Sequence, residues 1–262
     1  MKRFISRNYM LFLAAILLSS FIIHEQKKPT LFVIGDSTVK NGKGLGDGGL
    51  WGWADYLKPY FDTDKINIEN HAMGGTSSRT FQTQGLWDKV LAKVKSGDYV
   101  MMQFGHNDSS PLNDSSRARG TIKGVSEDST VIMNLLTKKE ETVHTYGWYM
   151  RKFIADVKAK GATAIICSPI PRNDWKNGKI IRNGGNNYGG WCLEVARQTS
   201  IAFIDLNTLT ADKYDALGQE KVAPFFPKEH THTGKEGAEI NAASIAAGIK
   251  ALKDCSLTAF VK

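Results

Sequence analysis

Two short motifs at opposite ends of the chain carry side chains suited to nucleophilic catalysis by serine. GDST (residues 35–38) follows an apolar run, and a serine at such a strand-to-helix turn can expose its hydroxyl near free helix N–H groups. In EHTH (residues 229–232), Glu229 and His232 lie close enough in sequence to meet across a turn. The carboxylate would hold the imidazole while its other nitrogen takes a proton from Ser37. The pattern predicts a catalytic set of Ser37, His232 and Glu229.

Two further motifs could stabilise a negatively charged oxygen. NHAMGGTS (residues 70–77) has adjacent glycines, Gly74 and Gly75, whose backbone can approach a ligand and point an N–H at it. GHND (residues 105–108) contains Asn107, whose side-chain amide is a donor of the type found in oxyanion holes. Taken alone, the glycines indicate a turn and Asn107 a helix N-cap. The set and order of the motifs favour a single site.

Competing chemistry is less well supported. His230 and His232 could bind a metal ion, but no third ligand follows at metal-site spacing, so we expect no metal and no organic cofactor. GxSxG and Walker A motifs are absent from the sequence, so the glycine-rich residues 41–49 indicate a mobile loop beside Ser37 rather than a phosphate site. Of the three cysteines, Cys167 lies in an apolar run and is predicted to be a core thiol. A disulfide among them is left open.

The elements that must position these motifs alternate between short apolar strands and helical patterns. This alternation predicts an α/β fold of three layers, α/β/α, with a mainly parallel five-stranded sheet and ligands at the carboxyl ends of the strands. The polar residues 108–137 are predicted to form a wall or lid of the site. The predicted strands are 31–36, 66–71, 98–104, 163–169 and 201–206, and the predicted helices are 53–61, 85–97, 141–161 and approximately 233–252.

The chain of 262 residues has an ordinary globular composition, and we predict one folded domain, residues 27–262. Residues 1–26 are predicted to form a signal peptide, because the cations Lys2, Arg3 and Arg7 precede an apolar run at 9–23. This run is short for a membrane span. An uncleaved N-terminal anchor is the alternative. Both interpretations place the fold in a secreted or periplasmic location. The net charge of +8 favours a polyanionic partner, and a carboxylated polysaccharide is a better candidate than nucleic acid. A charge that serves only to keep the protein soluble is the alternative.

The four motifs and their flanks resemble the GDSL, or SGNH, hydrolases, and most closely the rhamnogalacturonan acetylesterase branch. The resemblance implies a flavodoxin-like SGNH fold. It also implies that Ser37 is the nucleophile and first oxyanion donor, Gly75 the second donor in preference to Gly74, Asn107 the side-chain donor, and His232 the general base. Glu229 stands where that family usually has Asp. Two alternatives stay open: another carboxylate orients the His232 imidazole, or Ser37 and His232 act without a carboxylate. The supporting stretches are FVIGDSTVKNG, GLWGWADYL, NHAMGGTSSRTF, GDYVMMQFGHND, SPIPRNDW and FFPKEHTHTGKEGAE.

The same resemblance implies a serine esterase that removes acetyl groups from acetylated pectin. Separately, we expect a monomer without stable membrane insertion. Trp51 and Trp53 are predicted to stack on sugar rings, and Arg79 and Arg172, with Lys176, to pair with galacturonate carboxylates, although a surface role is the alternative for each cation. Other substrates remain open, namely acetylated xylan and small acyl esters. So do a non-catalytic carbohydrate-binding protein and an acyltransferase. The polar residues 108–137 argue against a lipase.

Overall fold

The computed structural model describes residues 28–185 and 187–262, so the predicted signal peptide lies outside the described residues. The strands are β1 (Thr30–Gly35), β2 (Asn67–Asn70), β3 (Tyr99–Gln103), β4 (Ser129–Met133), β5 (Glu140–His144), β6 (Thr163–Cys167), β7 (Trp175–Lys176), β8 (Lys179–Ile180) and β9 (Ala202–Ile204). In this part of the chain, five of them form one parallel sheet in the order β2-β1-β3-β6-β9. The remaining strands form two antiparallel hairpins, β4–β5 and β7–β8.

Helices cover both faces of the main sheet. They are α1 (Ser78–Thr83), α2 (Leu86–Leu91), α3 (Tyr146–Ala159), α4 (Tyr188–Thr199), α5 (Leu206–Leu217), α6 (Gln219–Val222) and α7 (Lys235–Lys250). Strand β1 shows why there are two cores: Leu31 and Val33 pack with α7, while Phe32 and Ile34 face the helices α1 to α4 on the other side. The predicted three-layer, flavodoxin-like fold is confirmed. Among the described helices, none combines the length and apolar character that a membrane span needs.

The strand register brings the motifs to one edge of the sheet. Gly35, the last residue of β1, pairs with Gln103, the last residue of β3, and Val33 pairs with Asn70 at the end of β2. All three strands are parallel, so the segments that follow them emerge side by side. Cys167 is buried, as predicted for a core thiol, and Cys192 and Cys255 are buried as well. All three thiols are free, so the structure contains no disulfide among them.

Three predicted helices differ from the structure. The helix predicted over 85–97 is α2, which ends already at Leu91. Residues 53–61 form two 3₁₀ turns, Trp53–Tyr56 and Lys58–Tyr60, because Pro59 has no N–H to continue a helix from the first turn. The prediction of a helix over 141–161 is wrong in its first turn, where β5 pairs with β4. Helix α3 begins only after Thr145, whose hydroxyl accepts the Trp148 N–H as an N-cap.

Arg79, predicted to bind substrate, is fully buried, so that prediction is wrong. Its Nε and Nη2 donate to the two carboxylate oxygens of Glu141 on β5, each over 2.7 Å. Its Nη1 donates to the carbonyls of Leu112 and Gly120 at 2.7 and 2.9 Å. Arg79 therefore ties helix α1 to the β4–β5 hairpin and to the polar segment after β3.

We expect Arg79→Leu to lower the free energy of unfolding by roughly 3–5 kcal/mol, because Glu141 and two carbonyls lose their charged partner. Urea denaturation followed by tryptophan fluorescence measures this change. Arg197→Leu is the matched control, since Arg197 is exposed near the end of α4 and its loss should matter by less than about 0.5 kcal/mol. Equal midpoints for the two variants would contradict the structural role of Arg79.

Candidate active site

Ser37 lies in the turn that follows β1, and the side chain before it shapes that turn. The Asp36 carboxylate accepts hydrogen bonds from both the main-chain N–H and the hydroxyl of Thr38, each over 2.8 Å. The Asp36 carbonyl accepts the N–H groups of Val39 and Lys40. Asp36 and Thr38 are buried while Ser37 stays partly exposed, so the turn presents one hydroxyl to the carboxyl edge of the sheet.

Ser37, His232 and Glu229 form a continuous hydrogen-bonded series. The Ser37 Oγ lies 2.7 Å from the His232 Nε2, and the His232 Nδ1 lies 2.6 Å from the Glu229 Oε1. A carboxylate beside Nδ1 assigns the ring proton to that nitrogen, which leaves Nε2 free to accept the serine proton. This arrangement is able to activate a serine for attack on a carbonyl carbon.

Glu229 fits the position because its longer side chain folds back over its own turn. Its carboxylate accepts the main-chain N–H of Thr231 at 2.9 Å and that of His232 at 2.7 Å, in addition to the imidazole. Burial raises the pKa of Glu229, but these hydrogen bonds and the nearby imidazole outweigh it and hold the pKa below the ordinary value. Glu229 therefore stays ionised under the imidazole, and the site needs no other carboxylate for this contact.

The adjacent glycines form a turn against Ser37. The Met73 carbonyl accepts the N–H of Thr76 at 3.4 Å and its hydroxyl at 2.8 Å, which closes residues 73–76 into a turn. Gly75 has a φ of 83°, the left-handed value that the third residue of a type II turn requires. A Cβ built on Gly74 would lie 3.7 Å from the Ser37 Cβ, so the turn adjoins the serine.

Asn107 lies beside the same turn. Its Nδ2 donates to the Thr76 carbonyl over 2.7 Å, which fixes the amide plane and uses one of its two hydrogens. The second hydrogen is the one that an oxyanion would need. The structure thus brings Ser37, Gly75 and Asn107 into one region, and their roles as oxyanion donors stay predictions.

Trp53 is the second substrate residue that the structure corrects. It is fully buried, and its Nε1 donates to the Gln103 side chain at 2.9 Å. Gln103 in turn donates to the Thr38 hydroxyl at 2.7 Å, so the prediction of sugar stacking by Trp53 is wrong. The indole instead supports the turn that carries Ser37. Trp51 is partly exposed, with its ring edge against Tyr56, and its predicted sugar contact stays a prediction.

A small pocket of about 30 Å³ opens between the ends of β3 and β6, on the side of His106. Burial, reinforced by the nearby Arg172 charge, lowers the pKa of His106 to about 3, so its imidazole is neutral. Arg172 lines the pocket and is partly exposed, with its Nη1 3.5 Å from the His230 Nε2. Substrate binding by Arg172, and by the exposed Lys176, stays a prediction. Within the described ranges, no group of three or more His, Cys, Asp and Glu side chains is placed to hold a metal ion.

Two further residues of the site, Asp108 and Arg119, have no predicted role in the sequence. Asp108 is buried and accepts both the main-chain N–H of Ser78, at 3.1 Å, and the Ser78 hydroxyl, so it anchors helix α1 behind the glycine turn. Burial raises the pKa of Asp108 to about 7, because the Ser78 hydrogen bond offsets only part of the desolvation and the Asp36 charge adds to it. Arg119 donates to the Gly75 carbonyl from a segment without any periodic pattern. Asp108 could have been found from its place in the GHND motif, whereas Arg119 belongs to no motif.

The raised pKa of Asp108 predicts a pH dependence of stability. The folded protein keeps a proton that the unfolded chain releases above the ordinary value of 3.8, so this contribution to stability is present at low pH and is lost as the pH rises towards 7. Asp108→Asn has no proton to lose. Its free energy of unfolding, relative to wild type, should therefore rise by on the order of 2–4 kcal/mol between about pH 4 and pH 8. Denaturant titrations across that range measure it, and parallel profiles would contradict it.

Comparison with known proteins places the whole arrangement in context. The family model of the GDSL-like lipase/acylhydrolase family matches residues 33–240, which include all four motifs. A rhamnogalacturonan acetylesterase of Emericella nidulans is 31% identical over 212 residues, which cover 80% of this chain and 80% of that protein. A probable rhamnogalacturonan acetylesterase of Bacillus subtilis is 28% identical over 231 residues, covering 85% of this chain and 93% of that protein.

Solved structures agree on the fold. A Bacillus subtilis protein superposes with a TM-score of 0.68 at 27% identity over 85% of this chain, and this chain spans 56% of that one. An acetylxylan esterase from Geobacillus stearothermophilus superposes with a TM-score of 0.56 at 18% identity, covering 86% of this chain and 95% of that one. The resemblance drawn from the four motifs is confirmed. The chain therefore belongs to the GDSL-like lipase/acylhydrolase family of ester hydrolases.

Proposed function

We propose that this enzyme removes acetyl groups from an acetylated acidic polysaccharide of the rhamnogalacturonan type, with Ser37 as its nucleophile. The observation that carries the proposal is the series Ser37–His232–Glu229, whose two short hydrogen bonds lie beside the glycine turn. Relatives named rhamnogalacturonan acetylesterases, and a structural neighbour named an acetylxylan esterase, support an acetylesterase that acts on polysaccharides.

The geometry supports a two-step reaction. The Ser37 Oγ attacks the acetyl carbonyl carbon while its proton passes to the His232 Nε2, and Glu229 stabilises the imidazolium that results. The carbonyl electrons move onto oxygen, where the Ser37 and Gly75 N–H groups and the Asn107 amide donate to the oxyanion. His232 then gives its proton to the sugar oxygen as the C–O bond breaks, which leaves acetyl-Ser37.

The second step repeats the proton transfers with water. A water molecule loses a proton to the His232 Nε2 and attacks the acetyl-enzyme carbonyl. The tetrahedral intermediate collapses, Ser37 recovers its proton from His232, and acetate leaves. If a sugar hydroxyl attacked the acetyl-enzyme in place of that water, the protein would be an acyltransferase. If it bound the polysaccharide without any reaction at Ser37, it would be a carbohydrate-binding protein.

The acidic polymer is favoured over neutral xylan on two grounds. The relatives at 31% and 28% identity carry the rhamnogalacturonan name, whereas the acetylxylan esterase at 18% identity shares the fold alone. The chain also has a net charge of +8, and its partly exposed Arg172 lies at the pocket beside His106, where it could pair with a uronate carboxylate. Trp51 is the candidate for a stacked sugar ring.

We also propose that residues 1–26 export the enzyme, since a polymeric plant substrate is met outside the cytoplasm. N-terminal sequencing of the protein recovered from medium or periplasm tests this proposal. Mature protein that begins near residue 27 is the expected result, and intact protein retained with the cytoplasm would contradict it.

Ser37→Ala should reduce acetate release from acetylated rhamnogalacturonan by about 10³-fold or more, because the nucleophile is lost. Ser96→Ala is the control, since it removes a hydroxyl before β3, at the opposite edge of the sheet. Acetylated xylan is assayed in parallel. Faster release from xylan would overturn the acidic substrate and keep the esterase, while equal release by Ser37→Ala and wild type would end the proposed mechanism.

Glu229→Gln should lower kcat for an acetyl ester by roughly 10²–10⁴-fold with little change in KM, because a neutral amide cannot stabilise the imidazolium. Glu229→Asp keeps the charge but shortens the reach, so its kcat should lie between those of wild type and Glu229→Gln. Glu236→Gln, on the exposed first turn of α7, controls for the loss of one negative charge. If Glu229→Gln retained wild-type kcat, the Ser–His pair would be working without a carboxylate.

A further inference from the structure

The segment that follows β3 is a closed loop, which we define as residues 107–121 and call the 107–121 loop. Its two limbs are joined where the Gly120 N–H donates to the Pro111 carbonyl and the Thr121 N–H donates to the Asp108 carbonyl, each over 3.0 Å. At Gly120 the limbs touch, since a Cβ there would lie 1.9 Å from the Ser110 carbonyl oxygen. The loop therefore has a fixed width and accepts only glycine at that position.

The tip of the loop is held by one carboxylate. Asp114 accepts the main-chain N–H groups of Ser116, Arg117 and Ala118 and the Ser116 hydroxyl. The hydrogen bonds, led by the Ser116 hydroxyl, hold the pKa of Asp114 far below its ordinary value. Ala118 has a φ of 41°, a left-handed conformation that alanine rarely adopts, and the Asp114 contact to its N–H helps to maintain it. This turn directs the next residue, Arg119, back towards the glycine turn.

Arg119 connects the loop to the glycine turn. Its Nε donates to the Ser110 hydroxyl at 3.1 Å, which fixes the plane of the guanidinium. Its Nη1 donates to the Gly75 carbonyl at 2.9 Å. The group is half-buried, and burial lowers the pKa of Arg119, although its guanidinium remains charged. A charged donor on a main-chain carbonyl makes a stronger hydrogen bond than a neutral one.

The contact matters because of where Gly75 stands in its turn. The proposed oxyanion donor, the Gly75 N–H, belongs to the central peptide of the turn formed by residues 73–76. That peptide is reversed between type I and type II turns, and glycine tolerates both conformations. Two hydrogen bonds hold the peptides that follow the Gly75 N–H, because Arg119 donates to the Gly75 carbonyl and Asn107 donates to the Thr76 carbonyl. The start of the turn is held by the Met73 N–H, which donates to the Gly35 carbonyl.

We propose that Arg119 is a positioning residue that keeps the Gly75 N–H aimed at the oxyanion, so that the 107–121 loop is part of the catalytic apparatus. The inference rests on the proposed role of Gly75 in ester hydrolysis and is independent of which polysaccharide is the substrate. Arg119 acts through Gly75 and does not itself exchange a proton. Its effect falls on the transition state, where the oxyanion exists, and not on binding of the neutral ester.

Arg119→Gln should lower kcat for 4-nitrophenyl acetate by about 10–100-fold, less than the loss of a whole oxyanion donor, with KM changed by less than about threefold. Affinity for methylboronic acid, which forms a tetrahedral adduct on serine, should fall by a similar factor. Arg119→Lys should recover little, since one ammonium does not reproduce the flat fork that reaches both Ser110 and Gly75. Guanidinium ion should restore part of the activity of Arg119→Ala.

Arg117→Gln is the matched control, because Arg117 is an exposed arginine in the same loop and its loss should leave kcat within about twofold of wild type. If Arg119 served only folding, its loss would lower the fraction of active enzyme, which is titrated with a phosphonate. The affinity of the active fraction for boronic acid would then equal that of wild type, and guanidinium ion would restore no activity. That result overturns the proposal. So does wild-type kcat in Arg119→Gln. If the wild-type protein fails to cleave the ester, the proposed function is contradicted instead. The role of Arg119 is then decided by comparing the affinity of Arg119→Gln and wild type for methylboronic acid.

Discussion

The hydrogen bond between the Ser37 Oγ and the His232 Nε2 is the contact on which the rest of the site depends. It joins residues 195 positions apart in the sequence. No local preference can form such a contact. It exists because β1 lies in the interior of the parallel sheet and because the segment before α7 is held at the carboxyl edge, where the Trp51 N–H donates to the Thr233 carbonyl over 2.8 Å. The two sheet faces and their separate cores serve to fix that edge.

Behind the reactive groups lies a layer of buried polar side chains. Trp53, Gln103, Thr38 and Asp36 form one hydrogen-bonded chain beneath Ser37. Asp108 secures the start of α1 beneath the glycine turn. Burial, the largest influence, raises the pKa of both Asp36 and Asp108. Asp108 therefore keeps its proton to a higher pH than an ordinary aspartic acid, which reduces the negative charge behind the glycine turn.

What the sequence could predict follows from where the signal lies. Four of the five strands in the main sheet are apolar runs, so the sheet and the edge that bears the motifs can be predicted from the sequence pattern, and the four motifs locate Ser37, Gly75, Asn107 and His232. The sequence does not show whether a long polar side chain faces solvent. The residue types of Arg79 and Trp53 predict contacts with substrate, but both side chains are buried and hydrogen-bonded, Arg79 to Glu141 and Trp53 to Gln103. Arg119 depends on a loop whose shape is set by single contacts, and periodicity carries no trace of those.

The pairing of Glu229 with His232 within one turn has a consequence for which contact of the site depends on the rest of the fold. Two of the three donors to the Glu229 carboxylate are main-chain N–H groups of the same turn, so no replacement elsewhere in the chain removes them. The acid and base thus form a local unit of four residues whose hydrogen bonds depend on no side chain outside it. The vulnerable joint is the one between this unit and the serine. A change that displaces the carboxyl ends of the strands would therefore separate Ser37 from His232 and leave the contact between His232 and Glu229 unchanged.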